Sequence, residues 1–103
     1  MKPLSVDRPE HRTDRYGTGI VHQDGNVRVV AFALLPGQEV PAHRSGSTVV
    51  VQVVAGEGVF RGGETEATLG PGGAAVFEPE ETHSIRALDD GLHFLAILSP
   101  SPR

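Results

Sequence analysis

Residues 49–58 read VVVQVVAGEG, a run of β-branched valines closed by two glycines. Valine is enriched in strands because its branched side chain packs well on a pleated surface. Apolar residues stand at both parities of this run, as they also do in residues 29–35, and such strands are buried on both faces. The second face is therefore expected to be covered either by another sheet of the same chain or by a second subunit.

Glycine and proline determine the fold class, because 13 glycines and 8 prolines occur among the 103 residues. The longest stretch free of both is 80–90, no longer than an average helix of about 11–12 residues. Both residue types break helices, so the sequence predicts an all-β protein. Turns are predicted at residues 24–26, 36–37, 45–46, 56–58, 62–63, 70–73, 79 and 89–91. Strands are predicted between them, at residues 27–35, 48–55, 58–61, 64–69, 74–77, 83–88 and 92–99, with 64–69 as a polar edge strand.

The length of the chain suits a single domain with one small core. We divide it into a charged N-terminal arm at 1–16, a β-barrel at 17–100 and a tail at 101–103. Both ends are expected to be frayed or to lie on a partner.

Charge and cysteine content narrow the class of protein further. The chain has no cysteine, which excludes disulfides and thiolate zinc sites and favours a cytoplasmic location. The charged N-terminus lacks the apolar stretch of a signal peptide, and no apolar run approaches the roughly 20 residues of a membrane span, so no membrane partner is expected. Residues 17–103 hold ten acidic and five basic side chains and few aromatic ones, so no nucleic-acid partner is expected.

The five histidines are the most obvious chemical groups. His11 in the arm and His22 beside a turn are expected to be solvated. His93 shares its strand parity with Leu95 and Ile97 and is expected to be a hydrogen-bonded strand residue. His43 and His83 each follow a proline-containing turn and are expected to begin an apolar strand, where a barrel mouth presents side chains to a pocket.

At His43 and His83 the sequence resembles the cupins, specifically the small single-domain RmlC-like ones. Gly37 is followed after five residues by His43, and residues 53–58, VVAGEG, are similar to the end of the first cupin motif. Residues 77–88, FEPEETHSIRAL, look like the second motif with its proline displaced by one place. The resemblance covers about 27–100 and implies a double-stranded β-helix, the cupin jelly-roll barrel.

The departures from the cupin pattern concern the metal ligands. By the resemblance, His43 and His83 keep two ligand positions, whereas Ser45 and Val49 stand where a histidine and a glutamate are usual, and Ala87 replaces the asparagine of the second motif. A catalytic zinc or iron site needs at least three good ligands. We therefore expect no cofactor; the alternative is a divalent metal (Zn, Ni, Fe or Mn) held weakly by His43 and His83.

An acidic run, residues 78–81, precedes His83. It is expected to be a solvated loop, although one of Glu78, Glu80 and Glu81 could complete a metal site. Carboxylates near an imidazole favour its charged form, so His83 could instead be an imidazolium that donates hydrogen bonds to an anion.

The sequence thus predicts a small ligand-binding barrel that forms a homodimer through the outer face of residues 48–55. The expected ligand-binding residues are His43, Ser45, Val49, Val51, Phe77 and His83. No nucleophile, carboxylate pair or phosphate-binding loop is recognisable, so a non-enzymatic binder of a small organic ligand in an apolar pocket is the first hypothesis. A metal-dependent dioxygenase, isomerase or decarboxylase acting on a small organic acid or sugar is the alternative. A third possibility, a structural module, predicts a filled barrel without a cavity.

Overall fold

The computed structural model describes residues 1–102, and its regular structure consists of β-strands. They are β1 (Gly17–Gln23), β2 (Arg28–Leu34), β3 (Glu39–His43), β4 (Thr48–Gly62), β5 (Thr65–Leu69), β6 (Ala74–Phe77) and β7 (His83–Ser99). Residues 1–102 include no helix with the length and apolar character needed to span a membrane.

All pairings are antiparallel, and the two long strands β4 and β7 take part in two half-sheets. In one half-sheet, the order is β1, β2, the second half of β7, the first half of β4, and β6. In the other, it is β3, the first half of β7, the second half of β4, and β5. The core lies between the two half-sheets and includes Val51, Val53, Phe60, Ile85 and Phe94.

The predicted turns at 56–58 and 89–91 are wrong, because both segments lie inside continuous strands. The register of β4 against β7 shifts between Val53 and Ala55 and between Gly56 and Gly58, so these glycines mark bulges. Gly56 and Gly91 have positive φ angles of 79° and 73°. An added Cβ at Gly56 would run into the carbonyl oxygen of Gly91. The glycines therefore allow two long strands to bend closely past each other from one half-sheet into the other.

Two strands were absent from the prediction. β1 contains two glycines and lacks a clear alternation, and β3 contains Pro41. Proline is tolerated in edge strands, and β3 pairs only with β7, with an irregular register between Val40 and His43. The predicted strands 27–35, 64–69 and 74–77 are confirmed, and polar β5 lies at an edge as expected. The predicted strands 48–55 and 58–61 are joined in β4, and 83–88 and 92–99 are joined in β7.

The valine run of β4 is buried on one face only within the chain. Val49, Val51 and Val53 lie in the core, whereas Val50 and Val54 remain 37% and 38% exposed. Within residues 1–102, no second sheet covers the outer face of this strand. Gln52 lies on the exposed face, in line with its parity.

Hydrogen bonds hold both ends of the chain against the barrel within residues 1–102, contrary to the expectation that the ends fray. That they lie on a partner stays a prediction. The side-chain amide of Gln38 donates hydrogen bonds to the carbonyls of Arg12 (2.7 Å) and Arg15 (3.2 Å) in the arm. At the other end, the Ser47 hydroxyl donates to the carbonyl of Pro100 (2.6 Å). Arg103, in the predicted tail, lies outside the described residues.

Candidate functional site

A cavity of about 70 Å³ opens between the two half-sheets beside His43 and His83. Its wall is mostly apolar, and the polar side chains in it are those of His43, Ser45 and His83. The cavity is lined by Phe32, Val40, His43, Ser45, Val49, Val51, His83, Ile85, Phe94, Ala96 and Leu98. Cavities that hold drug-sized ligands measure about 300–1,000 Å³, so this one suits a much smaller group.

His43 and His83 are brought together because they are cross-strand partners. His43 ends β3, contrary to the expectation that it begins a strand, and His83 begins β7 directly opposite. Their ring centroids lie 4.2 Å apart, with the planes at 64° to each other. A single strand pairing therefore places two imidazoles at the same point of the barrel mouth.

Backbone carbonyls fix the orientation of both rings. Nδ1–H of His43 donates to the carbonyl of Pro41 (2.8 Å), and Nδ1–H of His83 donates to the carbonyl of Glu81 (3.0 Å). In the neutral imidazole, a proton on Nδ1 leaves Nε2 as a hydrogen-bond acceptor or metal ligand. Each ring thus keeps its Nε2 lone pair free of these backbone contacts.

His83 is buried, whereas His43 is exposed. Burial is the main cause that lowers the pKa of His83 below its ordinary value; the backbone hydrogen bond to Glu81 opposes this effect, and the neighbouring His43 adds to it. The expectation of an imidazolium is therefore wrong, because the cost of burying the charge exceeds the attraction of the acidic loop. Phe77 stacks on the ring of His83 at a centroid distance of 4.4 Å and an interplanar angle of 7°.

Ser45 lies in the loop between β3 and β4, at the edge of the cavity. Its Oγ accepts a hydrogen bond from the backbone N–H of Ser47 (3.1 Å), which leaves the hydroxyl proton free for another partner. Its carbonyl accepts a hydrogen bond from the N–H of Glu80 (2.8 Å), a residue with a positive φ of 67°. The loop before β4 and the acidic loop before β7 are thus tied together at the mouth.

The donor set does not fit a complete metal site. Among residues 1–102, no group of three or more histidine, cysteine, aspartate or glutamate side chains is arranged to hold a metal ion. The carboxylates of the acidic run do not line the cavity. That of Glu81 is turned back to accept a hydrogen bond from the N–H of Glu78 (3.0 Å). The chain itself therefore supplies two imidazoles and the hydroxyl of Ser45.

Five of the six residues predicted to bind a ligand line this cavity, and Phe77 lies outside the lining, stacked on His83. Sequence reasoning missed Phe32, Val40, Ile85, Phe94, Ala96 and Leu98. The signal that could have found several of them is strand register, since Phe32 pairs with Phe94 and Val51 pairs with Ala96.

The remaining histidines lie outside the cavity lining. His11 is exposed, as expected. His22 is not simply solvated, because its Nε2 lies 2.9 Å from the carboxylate of Asp24. His93 has the predicted parity, but it is not satisfied: its Nε2 is buried and has no hydrogen-bond partner among the described residues.

Comparison with known sequences identifies the family. The sequence pattern of AraC-like ligand-binding domains matches residues 25–102. The chain belongs to this family. No protein of curated function matches the chain.

Solved structures similar to this family member have the same fold. A protein from Thermus thermophilus, TT1209, is 32% identical over 90% of each chain, with a TM-score of 0.86. An RmlC-like cupin from Desulfovibrio desulfuricans is 27% identical over 97% of each chain, with a TM-score of 0.82. A Klebsiella pneumoniae protein with a double-stranded β-helix domain is 21% identical over 98% of this chain and 91% of its own, with a TM-score of 0.88. The predicted all-β, double-stranded β-helix fold of a small single-domain cupin is confirmed.

Proposed function

We propose that this AraC-like domain binds a small neutral organic molecule in the cavity between the half-sheets, without a tightly bound metal. The observation that carries the proposal is the cavity itself. A purely structural barrel would be filled, whereas here apolar side chains surround a space that three polar groups border at the mouth. Sites of this composition recognise an apolar body and a few polar atoms of a ligand.

The hydrogen-bonding capacity of the mouth indicates which polar group fits. His43 and His83 use Nδ1–H toward the backbone and keep Nε2 as an acceptor, and Ser45 keeps a hydroxyl proton. The residues that line the described cavity include no lysine or arginine, so an anion would meet no fixed positive charge there. A hydroxyl group can donate to an imidazole and accept from the serine, so a small alcohol or phenol is the favoured kind of ligand.

Identifying the molecules that copurify with the protein tests this proposal. Protein purified without added ligand is denatured, and the released small molecules are identified by mass spectrometry. Ala96→Leu is the matched control, because Ala96 lines the cavity and the larger side chain fills it without changing charge. We expect a neutral hydroxyl-bearing molecule with the parent and none with Ala96→Leu. The same molecules in both preparations would contradict the proposal.

A metal-dependent enzyme is the second candidate, and one observation favours it. Histidines that bind metals commonly donate their other ring N–H to a backbone carbonyl, as both His43 and His83 do. In this alternative, the substrate would supply ligands that Ser45 and Val49 do not. Elemental analysis decides between the two: we expect metal well below one equivalent, whereas a full equivalent that is lost in His43→Ala and in His83→Ala would favour the enzyme.

A further inference from the structure

The N-terminal arm lies across a groove on the outer face of β1, β2 and β7, on the opposite side of the sheet from the ligand cavity. The groove floor has two rows of cross-strand neighbours: one is Gly17, Ala33 and His93, and the other is Gly19, Ala31 and Leu95. An added Cβ at Gly17 would collide with the carbonyl oxygen of Glu10, and one at Gly19 would lie 3.6 Å from the Cβ of Pro9. We call this surface the arm groove.

Burial shows how closely the arm covers the groove. Ala33 is 0% exposed although its strand parity places it on the outer face of the sheet. Its neighbours in β2 point the other way: Leu34 lies in the core, and Phe32 packs against the core. Small residues in the floor allow the arm backbone to approach the sheet directly.

His93 is the polar residue in the floor of the arm groove. The residue is only 7% exposed, and its Nε2 is buried without a partner among the described residues. An unsatisfied buried polar atom is unfavourable, and such atoms in native structures call for an explanation. His93 does not line the ligand cavity, so the explanation lies in the arm that covers it.

The charged groups that influence His93 come from the arm. Arg8 disfavours a positive charge on the ring and Asp7 favours it, and Arg8 also contacts the ring of His11. The strand neighbours of His93, Ala33 and Ala55, carry no charge. Burial is the largest cause that lowers the pKa of His93, Arg8 adds to it, and Asp7 only partly offsets them.

We propose that the arm is a pH-sensitive strap: it docks in the groove while His93 is neutral, and protonation of His93 releases residues 1–10. A charged imidazole under the arm would be desolvated beside Arg8 with no acceptor for Nε2–H, whereas release of the arm gives both ring nitrogens access to water. Docking and protonation are linked: if docking lowers the pKa of His93 by one, the arm docks about tenfold more weakly to the protonated protein than to the neutral one. The released state uncovers Ala31, Ala33 and Leu95, which adjoin the exposed valine face of β4.

Nuclear magnetic resonance of the full chain tests this proposal. Heteronuclear NOE values report the order of the arm backbone, and ring signals report the titration of each histidine. We expect the arm to lose order on acidification, with the same midpoint as His93 and below its ordinary pKa. An arm that stays ordered while His93 becomes protonated would overturn the proposal.

Substitutions assign the effect to a particular histidine. His93→Gln removes the titrating group and should keep the arm ordered at acidic pH. His11→Gln and His22→Gln are the controls, because His11 contacts Arg8 and the Nδ1 of His22 lies 3.4 Å from Lys2 Nζ. Both controls should release the arm as the parent does; loss of the pH response in either, with retention in His93→Gln, would contradict the proposal.

Gly17→Ala provides a test that does not alter His93. The added Cβ meets the Glu10 carbonyl, so the arm should be released at neutral pH while the barrel remains folded. The pKa of His93 should then rise toward its ordinary value. An unchanged pKa in the released protein would show that the arm does not control His93.

Discussion

Two substitutions should restore the metal ligands that Ser45 and Val49 replace in the cupin pattern, and we expect the stability of the resulting protein to depend on metal. Ser45→His together with Val49→Glu places four ligand side chains around one cavity, since positions 43, 45, 49 and 83 all line it. Without metal the double variant should be less stable than the parent. Zinc or nickel should restore part of the lost stability.

The size of both effects follows from the burial of the site. Val49 is 4% exposed, and an uncompensated buried charge costs about 3 kcal/mol or more. Loss of the Ser45 Oγ hydrogen bond to Ser47 adds about 1 kcal/mol. At about 4–8 °C per kcal/mol, the variant should melt roughly 15–30 °C below the parent. Metal at a hundredfold excess over its dissociation constant returns about 2.7 kcal/mol, or roughly 10–20 °C.

Thermal melting followed by circular dichroism measures the two effects directly. Thr48→Glu is the matched control, because it introduces the same carboxylate next to Val49 at an exposed position. It should melt close to the parent and gain nothing from metal. If the double variant also melts like the parent and does not respond to metal, Val49 does not face the cavity and the assignment of the ligand positions fails.

Four further predictions concern the assembly, the metal, the pH response and the fold. We propose that the chain dimerises through the exposed valine face of β4, so Val54→Glu should lower the mass measured by light scattering; a parent that is monomeric at micromolar concentration would refute this. His43 and His83 alone should bind Zn²⁺ with a dissociation constant weaker than about micromolar; calorimetry showing nanomolar binding would contradict the account of the site. Because burial depresses the pKa of His83, the unfolded chain is protonated at a higher pH than the folded chain, so the free energy of unfolding should fall as the pH drops below about 6.5. The melting temperature of the parent should therefore be lower at about pH 5.5 than at about pH 7.5, and this difference should be smaller in His83→Phe. Gly56→Ala should cost about 2 kcal/mol or more in urea unfolding, because its φ is 79° and a Cβ lacks space, whereas Gly25→Ala, with nothing within 4 Å, should cost little.

The sequence correctly predicted turns whose hydrogen bonds form between residues close together in the chain. The Asp24 turn is an example, because the carboxylate of Asp24 accepts hydrogen bonds from the N–H groups of Asn26 (2.7 Å) and Val27 (3.0 Å). The glycines at 56–58 and 91 gave the same local signal but form bulges. Whether a glycine makes a turn or a bulge depends on the partner strand, which local sequence does not specify.

The sequence predicted which polar residues form the site, because few residue types can serve there. It did not predict their charge or hydrogen bonding, because these depend on tertiary packing. The position of His43 and of His83 after a proline-containing turn indicated a pocket at the mouth, and the pairing of β3 with β7 brings the two rings together. Burial lowers the pKa of His83, and the acidic loop raises it less. The acidic residues near His83 in the sequence therefore suggested a shift in the wrong direction. The unsatisfied state of His93 follows from packing of the arm, and no pattern within the strand indicates it.

Binding of a small neutral molecule in the cavity beside His43 and His83 can be followed through methyl and histidine NMR signals of the folded protein. Propan-2-ol serves as the probe, with acetate as its charged counterpart. We expect propan-2-ol to shift the signals of Val49, Val51 and His83 in a saturable manner. The signals of exposed Val50 and Val76 should not move, and acetate should have a weaker effect. Equal shifts on both faces of β4, or no shift inside the cavity, would contradict binding in the cavity.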